Sequence, residues 1–136
     1  MNTTYWRNRV MDSVYQASSG NNFYLGLSST TPTDAGSNVT EPSGNGYARV
    51  KISAFSASES GSVHNTSDIV FPLSTGTWFP VEHLATHWVI FDGSGSGAHV
   101  LSFGTLEEPI GIWKNTVVTI GAGKVVITLT DAEMYP

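Results

Sequence analysis

From Phe23 onward, apolar residues recur at every second position, and that period leaves few folds open. Phe23, Leu25 and Leu27 alternate with Tyr24, Gly26 and Ser28; Ala48, Val50, Ile52 and Ala54 alternate with Arg49, Lys51 and Ser53. Successive side chains of an extended strand point to opposite faces, so this pattern describes half-buried antiparallel strands. Later apolar runs at 69–71, 87–91, 99–103, 116–120 and 125–129 are rich in β-branched and aromatic residues, which favours strand over helix. Turn chemistry separates them. Asp92-Gly93-Ser94-Gly95-Ser96-Gly97 reads as a hairpin connection, as does Gly121-Ala122-Gly123-Lys124. Pro72, Pro80 and Pro109 mark strand ends or edges, because proline cannot donate to a ladder. The expectation is a mainly β chain, an antiparallel β-sandwich or jelly roll of about seven or eight strands over residues 23–130. No internal repeat or linker divides it, so residues 1–136 read as a single domain.

Before Asn22 the period is 3.6. Residues 3–16 read as one N-terminal α-helix, with Thr3 or Thr4 as its cap and Gly20 as its stop. Trp6, Val10 and Val14 form an apolar stripe, widened by Tyr5, Met11 and Tyr15, while Arg7, Asn8, Asp12 and Ser13 lie mainly opposite. That stripe is expected to pack on the helix's own domain, with docking on another subunit as the alternative.

Charge narrows the partners. Only 12% of residues are charged, about half the usual share, and Ser, Thr, Asn and Gly supply the polarity instead. Low charge weakens repulsion between copies and suits dense assembly. The net charge is −5, and the six Lys and Arg form no stripe along which phosphates would be neutralised, so nucleic acid is not an expected partner. Apolar stretches are strand-sized, so no membrane partner is expected either. The opening Met-Asn-Thr-Thr-Tyr-Trp has no apolar h-region, and the chain is expected to stay in the cytosol until assembly or lysis. Without cysteine there are no disulfides or thiolate metal sites.

No constellation for bond making stands out. His83 and His87 have helical ligand spacing, but in an extended segment they lie about 13 Å apart. His87 and His99 remain a pair that a hairpin would bring together, and Asp34, Asn38 and Glu41 are oxygen donors without EF-hand order. Gly93-Ser94-Gly95-Ser96-Gly97 matches a nucleophile elbow as letters, but strands flank it on both sides. Glu82, Glu107, Glu108 and Asp131 are acids that nothing in the sequence pairs. The expectation is no catalytic residue, no metal and no cofactor. The Asn-x-Ser/Thr triplets at Asn2, Asn38 and Asn65 carry no weight without a secretory signal.

Contact residues are better candidates. Trp88 belongs to a strand and should be core. Trp78 precedes Phe79 and Pro80 between turn residues; exposed, it is a contact anchor or a sugar platform, and otherwise it covers one end of the sandwich. Trp113 joins it as a candidate glycan contact. Gly44 and Gly46 permit positive φ, Pro42 fixes its own φ, and Tyr47 can pack under the turn. Arg49, on the outward side of its strand, is placed to tie down a carboxylate or a loop carbonyl, and is the third candidate contact.

Several segments in order resemble a family of small bacteriophage proteins described as tail fibre or minor structural proteins. They are the N-terminal helix, Tyr24-Leu25-Gly26-Leu27-Ser28-Ser29-Thr30-Thr31-Pro32, the block Thr40-Glu41-Pro42-Ser43-Gly44-Asn45-Gly46-Tyr47-Ala48-Arg49-Val50, Asn65 to Pro72, Thr86-His87-Trp88-Val89-Ile90-Phe91-Asp92, and the closing residues from Asn115 to Thr130. Val89 stands where the family's THWGIFD block has glycine. The resemblance covers nearly the whole chain. It implies a non-enzymatic structural component of a tailed-phage virion, assembled in the host bacterial cytoplasm, and carries no catalytic residues over. A tail fibre or minor tail position and a capsid decoration or cement position both fit. The partners then expected are other copies of the chain in a homo-oligomer, a trimer among the candidates, and neighbouring capsid or tail proteins. The alternative is a carbohydrate-binding β-sandwich module that mediates adhesion to a host-surface glycan.

Overall fold

The computed structural model of the chain describes residues 3–15 and 22–129. Among these residues there is one α-helix, α1 (Thr4–Tyr15), and eight strands: β1 (Tyr24–Ser28), β2 (Val50–Lys51), β3 (Ser62–His64), β4 (Ile69–Val70), β5 (Ala85–Phe91), β6 (Val100–Ile110), β7 (Thr119–Ile120) and β8 (Val126–Thr128). Every strand pairing is antiparallel. The fold is mainly β with one N-terminal helix, as the change of period at Asn22 implies. The expected helix end at Gln16 and stop at Gly20 lie outside the described residues. The described residues gather into two compact units, each assembled from separated stretches of chain.

One unit contains α1, residues 53–68 and residues 121–129. Its strands β3 and β8 pair through Val63↔Ile127. Phe55, Val63, Val125 and Ile127 are buried there, with Met11 from the helix. Thr3 caps α1 by accepting the Trp6 N–H at 3.2 Å. The docking face shares Met11 and Tyr15 with the expected stripe but is centred on the polar side of the helix. Asn8 Oδ1 accepts the Gly61 N–H at 2.7 Å, Asp12 Oδ1 accepts the Ser58 N–H at 2.8 Å, and Ser58 Oγ donates to the Asn8 carbonyl at 2.9 Å. Met11 (4% exposed) and Tyr15, edge-on to Phe55 at 5.0 Å, complete that face. Tyr5 and Trp6 are left 68% and 53% exposed. The physical reason lies in residues 58–61. They turn through positive φ at Ser60 and Gly61, which leaves backbone N–H groups outside any ladder. Buried donors of this kind need acceptors, and a carboxylate and an amide one helical turn apart provide them.

The other unit contains residues 22–52 and 69–120. Its sheet has the order β2-β1-β5-β6, with the β4–β7 ladder beside it in the same unit. β1 and β5 pair in register from Tyr24↔Phe91 to Ser28↔His87. These two central strands are buried on both faces: Leu25, Leu27, Val89 and Ile90 have no exposure, and Phe91 has 3%. The alternation of β1 therefore understates its burial, because the loop after β1 folds back over the second face. Gly26 makes room for it, since a Cβ there would come within 2.6 Å of Glu41 Oε2 and 2.9 Å of the Tyr47 hydroxyl. On the opposite face Trp88 (6% exposed) lies over Gly104 of β6, where no side chain intervenes. The expected strand at 48–54 is reduced to the two residues of β2, extended by the Ile52 N–H donating to the Phe23 carbonyl at 2.8 Å.

Candidate partner-contact site

The loop between β1 and β2 is tied from within by short polar side chains. Ser28 is fully buried; its Oγ donates to the Thr30 carbonyl at 2.7 Å and accepts the N–H groups of Thr30 and Thr40 at 3.1 and 3.0 Å. Thr30 Oγ1 lies 2.7 Å from the Asn38 carbonyl and 2.9 Å from Thr40 Oγ1. These five side-chain contacts fix the base of a loop that presents residues 31–39.

The exit of the loop is a latch built from Glu41, Tyr47 and Arg49. Tyr47 donates to Glu41 Oε2 at 2.6 Å and accepts the Leu27 N–H at 3.1 Å. Arg49 grips the same carboxylate with both Nε and Nη2, at 3.1 and 2.7 Å. Its Nη1 donates to the Gly95 and Gly93 carbonyls, at 2.8 and 3.3 Å, and its guanidinium sits 3.5 Å from the centre of the Phe91 ring. One cation therefore fastens the loop exit to the β5–β6 connection. Burial, followed by the charge of Glu41 and the hydrogen bond to it, pushes the Tyr47 hydroxyl far above the ordinary tyrosine range, so it remains a donor. Gly44 and Gly46 take φ of 76° and 81°, and Asn45 between them takes 56°, which makes the turn from Pro42 to Tyr47 possible.

The candidate contacts have different fates. Arg49 ties down both a carboxylate and loop carbonyls, and its side chain is only 12% exposed. Trp78 is 5% exposed, donates Nε1–H to the Asn45 carbonyl at 2.8 Å, and meets Tyr47 edge-on at 5.2 Å. Trp113 is 46% exposed, and its carbonyl accepts a hydrogen bond from the buried Ser74 hydroxyl. Trp78 also borders a cleft of about 360 Å³, together with Thr30, Thr40, Pro42, Pro80 and His83. Neither Trp113 nor Arg49 lines this cleft.

Among the described residues the candidate histidines and acids do not gather at one site. His87 is opposite Thr105 in the β5–β6 register, not His99, and its Nδ1 contacts Thr86 Oγ1 at 2.8 Å. His99 pairs with Asp92: Nδ1 lies 3.1 Å from Oδ2, and the His99 N–H donates to Oδ1 at 2.7 Å. That backbone hydrogen bond, foremost, holds the Asp92 carboxyl below its usual range. Of the three proposed oxygen donors, Glu41 is engaged by Arg49 and Asn38 Nδ2 donates to the Thr31 carbonyl at 2.9 Å. Asp131 lies outside the described residues, as does Asn2. Among the described residues no three His, Asp or Glu side chains gather as metal donors, and no helix is long and apolar enough to cross a membrane.

Sequence reasoning missed the buried polar hubs Ser28, Asn65 and Ser74. Ser74 Oγ also accepts the Thr116 N–H at 2.9 Å. A lone serine or asparagine among turn residues carries no mark that separates it from its exposed neighbours.

The family described as Podophage GP4 fiber I protein gp80 matches residues 1–128. No curated protein matches the chain.

Proposed function

We propose that this chain, which belongs to the podophage GP4 fiber I protein family, is a structural component of a phage fibre that acts by self-assembly and surface attachment rather than by catalysis. The family match over nearly the full length is the observation that carries the reading. The latched loop fits it physically. A loop held at its base by Ser28 and at its exit by Glu41–Arg49 is pre-organised, and a rigid loop loses less entropy on contact. Low charge fits close packing of many copies. Immunogold labelling of purified virions tests the reading. Label along tail fibres is the expected result, label over the capsid shell assigns a decoration or cement role, and particles without label reject a virion role.

A second reading, adhesion to a host-surface glycan, is favoured by the cleft beside Trp78. Its walls include Pro42, Phe79 and Pro80, and Thr30 and Thr40 add hydroxyls. Apolar walls with a few polar groups suit a sugar ring. A glycan array with the native chain and His83→Ala tests it: His83 is an exposed residue of the cleft, and loss of a binding signal on its truncation is the expected outcome.

A further inference from the structure

We infer that the cleft beside Trp78 takes an uncharged, hydroxyl-rich sugar, and that Glu41 anchors it by accepting a hydrogen bond from a sugar hydroxyl. This rests on the glycan-adhesion reading above and names the class of sugar and the groups that would hold it.

Charge in the cleft wall is small and balanced. Among the described residues no Lys or Arg lines the cleft, and Glu41 is the one carboxylate in its wall. Arg49, which does not line the cleft, neutralises that carboxylate at 2.7 Å. An anionic ligand would meet a carboxylate and no guanidinium or ammonium to pair with. A cationic ligand would meet a carboxylate whose charge is already matched, so neither sign of charge is rewarded.

The unspent hydrogen-bonding groups select in the same direction. Glu41 Oε2 accepts from both Tyr47 and Arg49 Nε, whereas Oε1 accepts from Arg49 Nη2 alone and keeps an accepting position. Ser29 and His83 also line the cleft, and their side chains hydrogen-bond no other residue. A hydroxyl donates and accepts, and a neutral imidazole does both through its two nitrogens. The walls at Pro42 and Pro80 are apolar. One acceptor, two groups that work in either sense and two apolar walls complement a pyranose, whose hydroxyls donate and accept and whose C–H faces are apolar. Trp78 and Phe79 are only 5% and 2% exposed, so they offer little ring face for stacking. Hydroxyl contacts, more than an aromatic platform, therefore carry the selection.

These groups are in place before a ligand arrives. Arg49 and Tyr47 fix Glu41, the Ser28 hydroxyl holds the Thr40 N–H, and the Asn45 carbonyl holds the Trp78 indole at 2.8 Å. A site ordered by its own bonds loses less entropy on binding.

A glycan array that carries neutral oligosaccharides beside their uronate- and sialic-acid-bearing counterparts tests the inference with the full chain. Signals confined to the neutral members are expected. Ser29→Ala removes a hydroxyl that holds nothing within the fold, so it should weaken a neutral hit about fivefold with thermal unfolding unchanged. Glu41→Gln should weaken it further; because this variant also breaks the pair with Arg49, Ser29→Ala decides if it fails to fold. Stronger signals on the acidic members overturn the neutral assignment and leave glycan adhesion intact. Neutral hits that ignore Ser29→Ala overturn the assignment to this cleft. An array without any signal overturns the adhesion reading as well.

Discussion

Asn65 engages every polar atom it has while fully buried. Nδ2 donates to the Ser67 and Gly121 carbonyls at 2.9 and 3.1 Å, and Oδ1 accepts the Val125 N–H at 3.0 Å. It organises the turn between β7 and β8 from the side, together with Asp68, whose Oδ1 accepts the Ala122 N–H at 3.0 Å. Asn65→Ala strands three backbone groups and is expected to cost about 3 kcal/mol, since each orphaned buried group costs roughly 1–3 and the terms do not add fully. Urea denaturation checks this, and an unchanged midpoint would reject the hub. Arg49 and Glu41 illustrate the buried ion pair. Their side chains are 12% and 16% exposed. Arg49→Met alone leaves a carboxylate without its cation and should cost about 3–5 kcal/mol, whereas Arg49→Met with Glu41→Gln should cost clearly less. A double-mutant cycle reads the difference directly. Tyr47 adds a pH signature. Its folded pKa is raised above the unfolded value, so its contribution is complete below about pH 10 and declines as pH rises through and beyond that value. Stability followed from pH 8 to 11 should fall more steeply in the native chain than in Tyr47→Phe.

Helix α1 carries the clearest lesson at the scale of elements. Its existence and start were legible, because a 3.6-residue period and a threonine cap are local facts. Its docking face was not, because the apolar stripe is also local while the turn at 58–61 that claims Asn8 and Asp12 is distant in sequence. Truncation separates the two faces. Met11→Ala should destabilise by about 2–4 kcal/mol and Asp12→Ala by about 1–2, while Trp6→Ala should change stability by less than about 0.5. Thermal unfolding of the three variants decides, and a large loss at Trp6 would place the apolar stripe at the contact. The strands divide in the same way. Alternation marked β1 as a strand, and β-branched and aromatic content marked β5, but the second buried face was not readable, because its cover comes from Glu41 and Tyr47, thirteen and more residues beyond β1. The latch itself was partly readable: Arg49 was assigned a carboxylate or a loop carbonyl, and it holds both. Trp78, open to either role from its turn-rich surroundings, is packed against Tyr47 and Phe71 at a cleft wall, a placement set by the register of a ladder that its neighbours do not encode.

For the whole molecule, charge sets the sign of one further expectation. Each copy carries −5 and only six basic residues, so two copies approaching each other meet net repulsion. Salt screens that repulsion, shortening the Debye length from about 10 Å at 0.1 M to about 3 Å at 1 M. A contact made by backbone hydrogen bonds and apolar side chains gains from screening, whereas one held by ion pairs loses. At pH 8, where an ordinary histidine is neutral, self-association should therefore hold or strengthen as salt rises from about 0.05 to 0.5 M. Binding to a phosphate backbone would respond in the opposite direction, weakening steeply as counterions compete. Sedimentation velocity across that salt series separates the cases. Dissociation at high salt would mean that the few charges of this chain, and not its backbone hydrogen bonds and apolar side chains, hold the copies together.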